Sequence, residues 1–143
     1  MQNLSVPREK CYMDRILRIL ILEDCATDAD LMEYELHEAS IDFVAQRVIT
    51  KNDYTCALRE FAPDLILSDY DLPQYNGSLA LAEARSRCAD VPFILVTGIM
   101  EEDLATEFLT KGARDFVAKH QLHKLAPAVR RVLAQKKPQE AEA

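Results

Sequence analysis

Short, mostly apolar runs alternate along this chain with longer amphipathic stretches, and the runs stop at polar or charged residues. Runs of that length bounded by turn residues suit strands buried in a sheet, and the stretches between them have the spacing of helices. The runs are Ile16–Leu22, Phe43–Ile49, Leu65–Ser68, Phe93–Val96 and Asp115–Ala118. Thr27 or Asp28 can cap a first helix through Leu31, Tyr34, Leu36 and Ala39, and Asn52 or Asp53 a second through Tyr54, Ala57, Leu58 and Phe61, ended by Pro63. A loop from Tyr70 to Ser78 precedes a third helix from about Leu79 to Arg87, and a fourth spans about Glu101 to Lys111, with Gly112 as its stop. After a short turn at Leu122–Leu125, Pro127 fits the first turn of a last helix beginning near Ala126, with Val129, Val132 and Leu133 inward. Five strands and five helices in strict alternation imply an α/β, doubly wound parallel sheet covered on both faces.

With 143 residues, one domain is expected. Residues 1–14 and 135–143 lack the periodicity of the middle and are expected to be mobile tails on a domain of residues 15–134. The net charge of -7, without a Lys/Arg stripe, argues against direct nucleic-acid binding and for a protein partner. Cys11, Cys25, Cys56 and Cys88 form no C-x-x-C pair, which suits reduced thiols in the cytoplasm. The most apolar N-terminal run contains Arg18 and leads into Glu23, so no membrane insertion is expected.

Ligands of doubly wound sheets bind beyond the carboxyl ends of the strands. That rule gathers Glu23 and Asp24 after the first strand, Asp69 after the third, Thr97 after the fourth and Lys119 after the fifth. Three carboxylates packed together need a compensating cation or raised pKa values. An all-oxygen set without His or Cys suits a hard ion such as Mg²⁺.

The segments ILILED (Ile19–Asp24), LILSDYDLP (Leu65–Pro73) with Gly77, VTG (Val96–Gly98) and KGARDFVAK (Lys111–Lys119) resemble, in order and spacing, the receiver domains of two-component response regulators over about Arg15 to Ala134. The resemblance implies a flavodoxin-like (βα)5 fold with strand order 2-1-3-4-5. It implies that Asp69 accepts a phosphoryl group from a phosphohistidine on a histidine kinase or histidine phosphotransfer protein. Glu23, Asp24, Asp69 and the backbone carbonyl of Asp71 would hold Mg²⁺, and Lys119 and Thr97 would meet the phosphoryl oxygens. Phe116 would occupy the aromatic switch position. Helix four, strand five and helix five would then form the surface that changes for a downstream protein target, or the one through which two copies of the chain pair. The domain would be a regulatory phosphoacceptor rather than an enzyme.

Many receivers follow the lysine with a proline in a cis peptide, whereas here His120 follows Lys119, so a trans peptide is expected. The stretch KHQLHKLAPAV resembles receivers attached to sensor kinases and related multidomain proteins. His120 and His123 lack a third ligand and read as surface residues. Cys25, beside an acidic pair that raises a thiol pKa, does not read as redox-active. Asp71 and Ile99, each two residues past a site residue, lie where side chains can line the path of a hydrolytic water, and Ile99 offers it no hydrogen bond. Slow self-dephosphorylation is expected.

Two rivals remain at this stage. Asp69-Tyr70-Asp71 also resembles the D-x-D of haloacid-dehalogenase-type phosphatases, although there the motif sits on the first strand and Pro73 stands where Thr or Val is preferred. A receiver-like scaffold that is never phosphorylated is the other, opposed by the intact set of Asp69, Thr97 and Lys119. No DNA-binding, cyclase or kinase module accompanies the domain, so output is expected through protein contacts, from a stand-alone regulator or a receiver cut from a larger protein.

Overall fold

The computed structural model of the chain describes residues 16–98 and 102–142, with residues 136–142 as backbone only. Strands β1 (Leu17–Leu22), β2 (Phe43–Val48), β3 (Leu65–Ser68), β4 (Phe93–Thr97) and β5 (Asp115–Ala118) form one parallel sheet in the order β2-β1-β3-β4-β5. Helices α1 (Ala26–Glu38), α2 (Lys51–Glu60), α3 (Gly77–Arg87), α4 (Glu102–Thr110) and α5 (Leu125–Glu142) connect and cover it. This is the doubly wound architecture expected from the alternation.

Because successive strand residues face opposite ways, each central strand feeds two cores. Ile19, Ile21, Leu65, Leu67, Ile94 and Val96 pack with α1 and α5 through Met32, Leu36, Val129 and Val132. Leu20, Leu22, Ile66, Phe93 and Leu95 pack with α2, α3 and α4 through Tyr54, Leu58, Leu81 and Phe108. Both faces being covered explains why β3 and β4 are buried at every position, whereas the edge strand β2 keeps exposed residues.

The expected helix starts need correction. α1 begins at Ala26 behind Cys25, which gives no side-chain cap, so neither Thr27 nor Asp28 is the cap. Thr50 caps α2 by accepting from the Asp53 N–H at 3.1 Å, which puts Asn52 and Asp53 inside the helix. Asn76 caps α3, accepting from the Leu79 N–H at 2.9 Å, so this helix starts at Gly77. The expected loop contains a tight hairpin, Asp71–Leu72 paired antiparallel with Tyr75–Asn76. For α2 and α3 a residue still extended as the chain leaves the strand or hairpin supplies the cap, ahead of the expected start.

Ala62 turns the chain in the left-handed region (φ 53°) after α2, and Gly112 does so after α4 (φ 117°). Lys119–Lys124 form 3-10 turns interrupted at Gln121, where a short turn ending in Leu125 was expected, and Leu125 opens α5. Its backbone continues past residue 134, through Gln135, Lys136 and Lys137, all good helix formers. No cis peptide bond occurs among the described residues, so Lys119–His120 is trans as expected.

Candidate functional site

Strand register brings the polar residues together. Leu22 of β1 pairs with Ser68 of β3, so Glu23 and Asp69 leave the sheet at the same level, and the Asp69 N–H donates to the Leu22 carbonyl at 2.9 Å. Thr97 pairs with Ala118, and Lys119 follows. Glu23 (0% exposed), Asp69 (7%) and Thr97 (1%) are buried, whereas Asp24 is exposed. Apolar strands thus carry three polar side chains into the protein at their last or next residue.

Lys119 Nζ is the centre of the cluster. It lies 2.7 Å from Asp28 Oδ2, 2.9 Å from Glu23 Oε1 and 3.1 Å from Asp69 Oδ2. It donates hydrogen bonds to Asp28 and Asp69, while its approach to Glu23 Oε1 is an ion pair without hydrogen-bond alignment. Burial alone would lower the ammonium pKa, but the Asp28 and Glu23 carboxylates outweigh it and hold Lys119 above its usual range. Burial pushes Glu23 up to about 7, although Lys119 and the Cys25 N–H, which donates to Glu23 Oε2 at 3.1 Å, both favour its charged form. The nearby Asp69 charge adds to the rise.

Asp69 is fixed from several sides. Its Oδ1 accepts from the Tyr70 N–H at 2.7 Å and its Oδ2 from Lys119. Behind it, a Cβ on Gly77 would stand 2.8 Å from the Asp69 carbonyl oxygen and 3.0 Å from Tyr70 Cα, so only glycine lets α3 start this close. Arg47 at the end of β2 donates from Nε to the Glu23 carbonyl and from Nη2 to the Asp24 carbonyl, both at 2.9 Å, which clamps the acidic turn.

Glu23, Asp24 and Asp69 each offer a carboxylate oxygen, and these oxygens lie within 4.8 Å of one another. Glu23 Oε1 is buried without a hydrogen-bond partner. A buried acceptor left short, beside two further hard oxygens, fits a divalent cation such as Mg²⁺. Asp71 sits in the hairpin with its side chain exposed and outside that cluster. Phe116 is half-buried on β5 against the core shared by α2, α3 and α4. His120 and His123 are both exposed, and neither joins a metal-ligand cluster among the described residues. Ile99 lies outside the described residues.

Two contributors escaped the sequence reading. From sequence Asp28 reads only as a helix cap; its place four residues after Asp24, in the first turn of the helix that follows the acidic pair, is the available clue. Arg47 stands near the end of a strand otherwise read for its apolar residues, and nothing local marks its fork for the carbonyls of a neighbouring turn.

A doubly wound parallel sheet with a lysine and an acidic cluster at its carboxyl edge defines a class of α/β proteins that handle an anionic group beside a cation there. Comparison with known proteins narrows the class. The family model described as the response regulator receiver domain matches residues 19–130. The regulatory protein AtoC of Escherichia coli is 35% identical over 117 residues, covering 75% of this chain and 23% of AtoC. The transcriptional regulatory protein BaeR of Escherichia coli is 34% identical over 124 residues, covering 85% and 50%. The signal receiver domain of a LuxO repressor protein from Vibrio parahaemolyticus superposes with a TM-score of 0.75 at 26% identity, covering 88% of this chain and 96% of that one. A CheY-like receiver domain protein from Methanospirillum hungatei shares the fold, with a TM-score of 0.75 at 21% identity over 87% and 98% of the two chains.

The chain belongs to the response regulator receiver family of two-component signalling. It is a phosphoaccepting signalling switch, a regulatory domain rather than a classical enzyme, and neither the phosphatase nor the unphosphorylated-scaffold alternative gains support. The family binds Mg²⁺ in its acidic pocket, and its members are phosphorylated by histidine kinases and act on downstream targets. The chain spans half or less of the length of the curated relatives just described. No helix among the described residues is long and apolar enough to cross a membrane.

Proposed function

We propose that Asp69 is the phosphoacceptor and that residues 15–134 act as one receiver domain, in the cytoplasm, for a phosphohistidine donor on a histidine kinase or histidine phosphotransfer protein. The observation that supports this best is the Lys119 ammonium 3.1 Å from Asp69 Oδ2, beside a three-carboxylate cluster. An Asp69 carboxylate oxygen forms the new O–P bond as the donor's P–N bond breaks, and the imidazole nitrogen leaves with the electron pair. Phosphoryl transfer of this kind needs in-line placement rather than an acid or base, so holding and charge compensation carry the catalysis.

Glu23, Asp24, Asp69 and the Asp71 carbonyl would hold Mg²⁺, which would neutralise charge on the phosphoryl oxygens. Lys119, at the carboxyl end of β5, compensates charge on the phosphoryl oxygens, and the Thr97 hydroxyl donates to one of them. A shift at Thr97 and at Phe116 then alters the α4–β5–α5 surface, which receives a downstream protein or a second copy of the chain.

Mass spectrometry after incubation with Mg²⁺ and acetyl phosphate tests the assignment. One added phosphoryl group is expected, lost in Asp69→Asn and on chelation of the metal. An adduct that survives Asp69→Asn would place the acceptor elsewhere.

A further inference from the structure

Three carboxylates hold Lys119, and only two of them belong to the metal and phosphoryl positions assigned above. Glu23 and Asp69 do; Asp28 does not. Asp28 reaches Lys119 from the first turn of α1, 91 residues away in sequence, and makes the shortest of the three contacts, 2.7 Å. The helix has no claim on this carboxylate. An acidic residue three positions after the N-cap commonly turns back to the cap's own N–H. Here the Cys25 N–H is already taken by Glu23 Oε2, so Asp28 faces across to the fifth strand.

We propose that Asp28 is a positioning residue for phosphoryl transfer: by accepting a hydrogen bond from Nζ, its carboxylate keeps the Lys119 ammonium at the phosphoryl oxygens while Glu23 and Asp69 change partners. The proposal rests on Asp69 being the acceptor. Lysine carries its charge on a flexible four-carbon stem and must be held to act as a fixed charge. Phosphorylation replaces the Asp69 carboxylate with an acyl phosphate, and Glu23 Oε1, ion-paired to Lys119 but without a hydrogen-bond partner, is the oxygen open to a cation. Asp28 alone keeps the same charge and the same partner throughout the cycle. Its side chain is 31% exposed and that of Lys119 19%, so water competes only in part for the contact.

Charge alone predicts the opposite outcome. Deleting a carboxylate beside an incoming phosphate relieves repulsion and should speed the reaction. Loss of positioning slows it. The test is the rate of labelling of the full chain by acetyl phosphate at saturating Mg²⁺, where a change in metal affinity does not enter. Asp28→Ala is expected to be about tenfold slower, or about 1.4 kcal/mol on the barrier, with its melting temperature as a separate control. Asp28→Asn, which keeps an oxygen acceptor, should recover at least half of that loss on a logarithmic scale. An Asp28→Ala rate at or above wild type overturns the proposal, and so does an Asn variant as slow as the Ala variant. If Asp28→Ala does not fold, an Asn rate above wild type overturns it. A wild-type chain that takes no label fails the Asp69 assignment instead, which keeps the two failures distinct.

Discussion

Glu23 should make the metal-free protein lose stability as pH rises, and replacing it with glutamine should remove that loss. Its carboxyl is fully buried and its pKa stands at about 7 instead of the ordinary 4.5. A group whose folded pKa is raised contributes stability that is complete below the unfolded pKa and disappears as pH climbs through the folded one. The window is therefore about pH 4.5 to 7. Linkage with these two pKa values gives a loss of about 2 to 3 kcal/mol between about pH 5 and about pH 8. Glu23→Gln has nearly the same shape and does not titrate. Other groups titrate in both proteins, so the difference between them isolates Glu23, and any fixed offset from the amide cancels. Urea unfolding of both proteins in chelator, at the two pH values, measures it. The variant should gain on wild type by about 2 to 3 kcal/mol over the window, and Mg²⁺, which binds the charged form, should close the gap at the higher pH. Curves that stay parallel within about 0.5 kcal/mol would refute the claim that Glu23 is buried against its own charge.

Gly77→Ala should cost about 1 to 3 kcal/mol, because the added methyl meets backbone atoms of Asp69 and Tyr70. The same displacement should slow labelling by acetyl phosphate. Arg47→Ala frees the carbonyls of Glu23 and Asp24 and should weaken Mg²⁺ binding about tenfold, the low end for lost support of ligands; unchanged affinity by calorimetry would remove the clamp from the site. Thr50→Ala deletes the α2 cap and should cost about 1 kcal/mol in urea.

The parts of the fold that depend on local pattern were legible from sequence. Leu65–Ser68 and Asp115–Ala118 match the expected strands residue for residue, since each is a short run closed by loop residues on both sides. Helix starts were less legible because several residues near each can cap, and the exit direction of the preceding segment chooses among them. Thr50 prevails over Asn52 and Asp53 because it is the residue still extended when α2 begins. The site divides in the same way. Glu23, Asp69, Thr97 and Lys119 follow from chain order plus the rule that doubly wound sheets bind at their carboxyl edge. Asp28 and Arg47 depend on where a side chain points across elements, 91 residues apart for Asp28 and Lys119, and no local pattern encodes that.

The two cores bear unequally on which element moves when Asp69 changes. On one side, α2 and α3 are tied by a polar network around Glu83, which accepts from Thr55, from the Tyr75 hydroxyl at 2.7 Å and from Arg87 at 3.0 Å, while the buried Tyr54 hydroxyl donates to the Ala80 carbonyl at 2.7 Å. Shifting α2 against α3 would break the Thr55–Glu83 and Tyr54–Ala80 bonds, the second of them buried, at about 1 kcal/mol or more each. By contrast, α4 has a single fully buried side chain, Phe108, and the ring it meets edge-on at 5.8 Å is that of Tyr70, next to Asp69. Elements with few buried contacts are the ones that shift at least cost. The proposed α4–β5–α5 surface thus pairs the least anchored helix of the fold with a direct contact to the residue beside the phosphoacceptor. Phe108→Ala should accordingly uncouple α4 from the site, leaving Asp69 labelled at a near-normal rate while amide exchange in α4 no longer differs between the phosphorylated and unphosphorylated chains. A phosphorylation-dependent change in α4 exchange that survives this substitution would show that the shift reaches α4 by another route.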